Sequence, residues 1–365
     1  MLTGATGFLG THVLREFLER ENGILYCLVR SDNNKAEERL LTLLAYYFSN
    51  TYKELLGSRL VVVPGDVSDS ASLKSMTKFP INTIINCAAS VKHFSAGNEI
   101  EEINVGGPSR LIELCRATGA KFVQVSTTSV AGHAVDDSPP EKTLMNEQML
   151  WFGQNLDHQY VGSKFRAERL ALSAMAADPE KIAVKIMRVG NLMGRHSDGE
   201  FQLNSNSNSF VGRFRAYRQI GCVPYEVTTF PTEFAPVDCT AAAILTLAQT
   251  PKENCLFHPY NDHGIFIGDV LDAMQRRGIN IAMVEQEEFE KALRLVMRDE
   301  RRVKYLTPII AYLNQAGAKR TALKTENTYT SQALRRFGFH WPITTDAYLD
   351  KFIEGLDTLG FFDRD

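Results

Sequence analysis

The chain has 365 residues, 44% of them hydrophobic and 23% charged, with a formal net charge of -3. That size and composition fit one large or two modest globular domains with a sizeable core. The near-neutral balance gives no electrostatic case for nucleic acid or an anionic membrane, and no apolar run is long enough to span a bilayer.

Near its start the chain reads Thr3-Gly4-Ala5-Thr6-Gly7-Phe8-Leu9-Gly10. Glycines at the first, fourth and seventh places predict a turn joining a buried strand to a helix. Gly4 allows the tight turn, Gly7 a close approach to a pyrophosphate, and Gly10 close packing of the helix on the sheet. The amides that open the helix then face negative charge. A glycine triplet alone is weak evidence. Here a helix over 11–20 and an apolar strand over 24–29 follow at once, which is the setting of a dinucleotide site. Thr3, Gly4, Thr6, Gly7, Phe8, Leu9 and Gly10 are the candidate residues. Only Met1 and Leu2 precede Thr3, too few for a buried strand, so the expectation is a piece of a longer protein cut near its natural start.

Further strands are expected over 60–64, 83–87, 121–125 and 184–188, with helices over 35–49, 70–77, 107–117 and 161–176. Continuous apolar strands between amphipathic helices predict a doubly wound α/β fold, a parallel sheet covered on both faces. Ligands bind such sheets at the carboxyl ends of the strands. Arg30 ends the second strand, where an acidic residue would favour NAD and an arginine suits a 2′-phosphate. Arg39 on the next helix is a second candidate cation. Asp66-Val67 follows the third strand, and a carboxylate there suits an adenine amino group. Asn86-Cys87-Ala88-Ala89-Ser90 ends the fourth strand in small residues that let a cofactor lie against the backbone. Ser126-Thr127-Thr128-Ser129 ends the fifth in hydroxyls, one of which is available for a substrate carbonyl.

Tyr160 and Lys164 are four residues apart on an expected helix and share one face. An ammonium beside the phenol should lower the tyrosine from its usual value of about 10 and make it a proton donor. After Gly194 the strand–helix alternation ends. Helices are expected over 210–220 and over 237–250, the latter returning to the sheet, and from about 264 over 267–277, 287–299, 307–316, 329–337 and 345–359, a smaller and mainly helical domain. The expected division is 1–194 with 234–260 returning to it, against 195–233 and 261–365. Arg213, Arg215 and Arg218 share one of these helices, either as a solvated face or as a docking patch. The six cysteines form no CxxC pair and read as reduced thiols of a cytoplasmic protein. The histidines, His93 and His133 included, show no metal-ligand spacing.

Taken together, TGATGFLG, Asp66-Val67, Asn86-Cys87-Ala88-Ala89, Asn104-Val105-Gly106-Gly107, the hydroxyl run and Tyr160-x-x-x-Lys164 resemble the extended short-chain dehydrogenase/reductase family. Within it the chain looks most like the terminal thioester reductase domains of nonribosomal peptide synthetases, polyketide synthases and carboxylic acid reductases. That closer likeness rests on Leu28-Val29-Arg30-Ser31 with the long helix after it, on Asn86 to Val91, and on Arg188-Val189-Gly190-Asn191-Leu192-Met193-Gly194. Many relatives have proline at the position of Val189. The likeness covers 2–194 and 234–238 well and the remainder less specifically.

The resemblance implies NADPH as cofactor, with Val189 and Asn191 at the nicotinamide-facing turn. It implies Thr127, Tyr160 and Lys164 as catalytic residues, with Thr128 as the fallback hydroxyl and Lys164 also bonding the nicotinamide ribose. The implied substrate is an acyl or peptidyl thioester on a phosphopantetheine carrier protein, delivered by upstream synthetase modules and released as an aldehyde, with onward reduction to an alcohol left open. Three other readings share parts of the pattern: a nucleotide-sugar epimerase or dehydratase, a fatty acyl-CoA reductase, and a non-catalytic NADP-sensing protein.

Overall fold

The computed structural model describes residues 1–31, 35–49, 52–91, 97–132, 144–309 and 324–363. His93, His133 and the stretch 310–316 of the helix expected over 307–316 lie outside them. The chain divides into two compact units, Met1–Gly190 with Thr240–Pro259 and Ala322–His340, and Asn191–Cys239 with Tyr260–Thr321 and Trp341–Asp365.

The first unit runs β1 (Leu2–Thr3), α1 (Phe8–Arg20), β2 (Leu25–Val29), α2 (Ala36–Phe48), β3 (Leu60–Pro64), α3 (Ser70–Ser75) and β4 (Thr83–Asn86). It continues with α4 (Glu99–Glu101), a π-helical turn Glu102–Gly106, α5 (Gly107–Thr118), β5 (Lys121–Thr127), β6 (Leu144–Met145), α6 (Gln159–Ala177) and β7 (Val184–Val189). Seven strands form one sheet in the order Leu256–Phe257, β7, β5, β4, β1, β2, β3. Every pairing in it is parallel. All five residues of β2 and all six of β7 are buried, as a sheet covered on both faces requires. Its core gathers Leu28, Ile84, Phe122, Val184 and Ile186 around Leu111, Cys115 and Ala171 of the covering helices.

Strand order in this sheet reverses between β1 and β4, so their carboxyl ends open a crevice there. Although β1 has only two residues, it pairs on both sides, Thr3 opposite Leu28 and opposite Asn86. Gly4 follows with φ of +71°, and a Cβ there would lie 2.6 Å from Ala88 N and Cys87 C. At Gly10 a Cβ would lie 2.1 Å from Gly4 O. Only glycine at these two positions lets the turn, α1 and the end of β4 come so close together.

The second unit is mainly helical, with helices Ser209–Ile220, Ile267–Arg276, Gln286–Val296 and Asp346–Thr358 and short paired strands. Its core is aromatic: Phe201, Phe214, Phe234, Phe289 and Phe352 are each buried to within 1%. Phe234 meets Phe352 and Tyr348 edge-on.

Candidate functional site

Parallel strands put all their carboxyl ends on one edge of the sheet. Gly4, Arg30, Asp66, Cys87, Thr127 and Val189 therefore share that edge, although they are far apart in sequence. Two ladders run one or two residues further than the sequence predicts. β5 reaches Thr127 because Ser126 and Thr127 pair with Arg188 and Val189 of β7. Thr127 is thus the last strand residue, with its Oγ1 in a local turn with Ser129 N (3.2 Å) and Ser129 Oγ (3.1 Å). Thr128, the fallback hydroxyl, is 9% exposed, whereas Thr127 is only partly covered.

A buried polar chain stiffens the strand ends beneath the site. Thr3 Oγ1 donates to Asn86 Oδ1, Asn86 Nδ2 to Gln124 Oε1 (2.8 Å) and Gln124 Nε2 to Val125 O (2.8 Å). Thr3 is wholly buried and its hydroxyl is occupied in this chain, so its contribution is to the wall of the site. Asn104, in the π-helical turn, donates to Ser90 O (2.9 Å) and Ser163 Oγ (2.9 Å) and accepts from Ser90 N (2.8 Å). It ties the loop after β4 to helix α6.

Lys164 is 4% exposed and donates to Val125 O at 2.9 Å. Burial pulls its ammonium down to about 8, against the raising influence of Cys87 and then Glu168. Tyr160 lies one turn earlier, in the first turn of α6. Its phenol is pushed up to about 12 by desolvation. This corrects the expectation of a lowered tyrosine: the ammonium is directed to a backbone carbonyl, and loss of water outweighs it. A phenol at that value stays protonated at neutral pH, which a proton donor requires.

The residues present fit a dinucleotide. Gly7 is the N-cap of α1 and offers no side chain, so the helix start faces the crevice as backbone amides. The Gly4–Gly10 cradle leaves no room for a Cβ. Ser90 Oγ is buried with no hydrogen-bond partner among the described residues. Thr6 and Phe8 are partly covered on or beside the turn, while Leu9, Val67 and Val189 are buried. Ala88 and Ala89 keep the wall beside Gly4 low. At the far end Arg30 Nε stands 3.7 Å from Asp66 Oδ2, and Arg39 donates to Arg30 O at 3.0 Å. Arg30 thus stands beside Asp66, whose Oδ1 accepts from Ser68 N and Oγ, and Arg39 reaches the backbone at the same strand end. Asn191 opens the second unit, where its N–H donates to Glu233 (3.2 Å).

The arginine trio on Ser209–Ile220 is engaged inside the second unit. Arg215 lies over Tyr305 (4.4 Å) and Phe361 (4.7 Å), Arg213 over Phe210 (4.8 Å), and Arg218 donates to Asn280 O (3.4 Å). Sequence reasoning missed a buried cluster next to Lys164. Glu168 and Arg188 form an ion pair of 2.7 Å with both side chains at 0% exposure. Glu168 follows Lys164 by four residues, a spacing that was open to reading.

Among the described residues no group of three or more His, Cys, Asp or Glu could hold a metal, and no helix is long and apolar enough to cross a membrane.

The family model described as Male sterility protein matches residues 2–244. Over 287 residues the chain is 26% identical to a glycine betaine reductase of Emericella nidulans, covering 73% of this chain and 21% of that protein. It is also 26% identical to a linear gramicidin synthase of Brevibacillus parabrevis, over 82% of this chain and 6% of that one. The chain thus spans about a fifth or less of the length of these two relatives. Among solved structures, a thiolation-reductase di-domain from an archaeal nonribosomal peptide synthetase superposes with a TM-score of 0.89 at 33% identity. That match covers 99% of this chain and 75% of the other.

Proposed function

We propose, from the premise that this chain belongs to the Male sterility protein family and is an oxidoreductase of the extended short-chain dehydrogenase/reductase type, that it reductively releases a carrier-bound thioester as an aldehyde. The observation that carries the reading is the Lys164–Val125 O bond. It anchors the helix face bearing Tyr160 to the strand that ends in Thr127.

NADPH, when bound, supplies the hydride to the thioester carbonyl carbon. Thr127 and Tyr160 hydrogen-bond the carbonyl oxygen as negative charge develops on it, where fixed donors help most. Tyr160 then gives its phenolic proton to that oxygen, and Lys164 keeps positive charge beside the phenol. The resulting hemithioacetal loses the carrier thiol and leaves an aldehyde. The thioester C–S bond breaks, a C–H bond forms, and the proton ends on the sulfur. The carrier would present its acyl or peptidyl chain on a phosphopantetheine arm, with upstream synthetase modules supplying it. That partner is supported by the likeness to a thiolation-reductase di-domain. NADPH over NADH is supported by Arg30 at the end of β2, with Arg39 bonded to its backbone carbonyl. A cytoplasmic setting is supported by six free cysteines.

The test is incubation with NADPH and a panel of pantetheine thioesters, with products identified by mass. Aldehyde or alcohol from any thioester is expected. Tyr160→Phe should lose about a hundredfold or more in kcat, within the usual range for a general acid, with NADPH affinity nearly unchanged. Full turnover by that variant rejects the assignment of Tyr160. NADPH oxidation with nucleotide sugars but with no thioester would favour the epimerase-like reading.

A further inference from the structure

We infer that Glu168 is a positioning residue of this site, holding the Lys164 side chain charged and locking the Tyr160–Lys164 face of α6 onto the last residues of β5. The inference rests on the function proposed above for Lys164.

Tyr160, Lys164 and Glu168 succeed one another at intervals of four and lie on one helix face. Two consecutive residues of β5 meet this face. Val125 O accepts from Lys164 Nζ, and Ser126 Oγ donates to Glu168 Oε1. The next residue is Thr127, the proposed oxyanion donor. A rotation of α6 by one residue would break both contacts together.

The other side of the Glu168 carboxylate takes Arg188 Nε (3.1 Å) and Nη2 (2.7 Å) from β7. Arg188 Nη1 continues to Met149 O (2.9 Å) and His258 Nε2 (3.2 Å). His258 Nδ1 lies 2.6 Å from Glu326 O, so Nδ1 carries the hydrogen and Nε2 accepts from the guanidinium. Burial and then Arg188 hold His258 down to about 3, so it adds no charge.

Among the described residues, Cys87 and Glu168 are the groups whose charge raises Lys164. Cys87, at the end of β4, is pushed up to about 12 by burial and stays a neutral thiol. Tyr160, on the same helix, is neutral for the same reason. Glu101 and Glu102, beside α5, are engaged by Arg166 and Arg110. Arg188 is taken up by the Glu168 carboxylate. Glu168, ion-paired with Arg188, therefore supplies a negative charge that opposes the desolvation of Lys164 at neutral pH. The lysine needs that charge if it is to stay an ammonium at a site this dry.

The test titrates Lys164 directly in the apoprotein, by trace acetylation with acetic anhydride at a series of pH values and mass-spectrometric readout at that residue. The pH profile of thioester-dependent kcat is measured alongside. In wild type the Lys164 midpoint is expected at about 8. Glu168→Gln should lower it by about one pH unit, the low end of the effect of a nearby charge, and move the alkaline loss of kcat with it. Ser126→Ala, which removes a hydrogen bond but no charge, should leave the midpoint in place. Glu168→Gln leaves Arg188 buried without a counter-charge and risks misfolding. The paired variant Glu168→Gln/Arg188→Met removes both charges and leaves no buried guanidinium unpaired, and since Glu168 is the carboxylate that raises Lys164, the midpoint should still fall. An unmoved midpoint in whichever of the two Glu168 variants folds overturns the inference. A shifted midpoint together with a fully active Lys164→Met protein would instead reject the proposed function and leave the electrostatic role of Glu168 standing.

Discussion

Gly4 and Gly119 have nearly the same backbone angle, φ of +71° and +73°, in different surroundings. A Cβ on Gly119 meets nothing within 4 Å, whereas one on Gly4 would lie 2.6 Å from Ala88 N and Cys87 C and 2.8 Å from Cys87 O. Replacing either by alanine imposes a left-handed conformation on a residue with a side chain, which costs about 1–2 kcal/mol. At Gly119 that is the whole effect. At Gly4 the β1 turn must also move away from β4 until the contacts reach an ordinary distance, and overpacking of that kind adds about 1–3 kcal/mol. Gly4→Ala is therefore expected to destabilise the chain by about 2–5 kcal/mol and Gly119→Ala by about 1–2 kcal/mol. Urea unfolding of each variant, followed by circular dichroism, measures the difference, and a fluorescence titration with NADPH follows the crevice. Gly4→Ala should also weaken NADPH while Gly119→Ala leaves it unchanged. Equal stability losses and equal affinities would refute the claim that backbone proximity at the β1–β4 switch point builds the cofactor cradle.

Two other substitutions address the charges of the site. Arg30→Ala should weaken NADPH about tenfold or more while changing NADH little, the loss expected of one charge-assisted contact to a phosphate, and equal losses for the two cofactors would remove the 2′-phosphate role. Lys164→Met should melt at a higher temperature than wild type at pH 7, because burial holds Lys164 down to about 8 and folding there opposes the charge. Between about pH 8 and the usual lysine value the unfolded chain binds more protons than the folded one, so wild-type stability rises with pH across that window and the gap between the two proteins should narrow. A gap that widens with pH would contradict the burial of a charged Lys164.

Much of the first unit was legible in the sequence. Its strands are short apolar runs bounded by turns, and its helices carry a clear period, so their order identifies the parallel sheet. The glycine turn, the residues ending each strand and the Tyr160–Lys164 pair follow from local spacing, which pattern reading resolves well. What escaped is what depends on neighbours distant in sequence. The fall expected for the Tyr160 phenol rested on the ammonium four residues on, and burial reversed the direction. The arginines of Ser209–Ile220 looked like a charged face, but three aromatic rings and a carbonyl within the second unit take them up.

By itself, then, the chain's residue order determined the strand–helix alternation, the glycine cradle and the list of groups at the strand ends, because each follows from local backbone sterics and side-chain periodicity. Only the tertiary structure decided that Glu168, Arg188, Ser126 and His258 form one buried network behind Lys164. Strand pairing set Arg188 opposite Ser126, and the strand Lys324–Thr325, paired with β6, is followed by Glu326, whose carbonyl meets His258. Which charges end up sharing a dry interior depends on long-range register, and no local pattern carries that information.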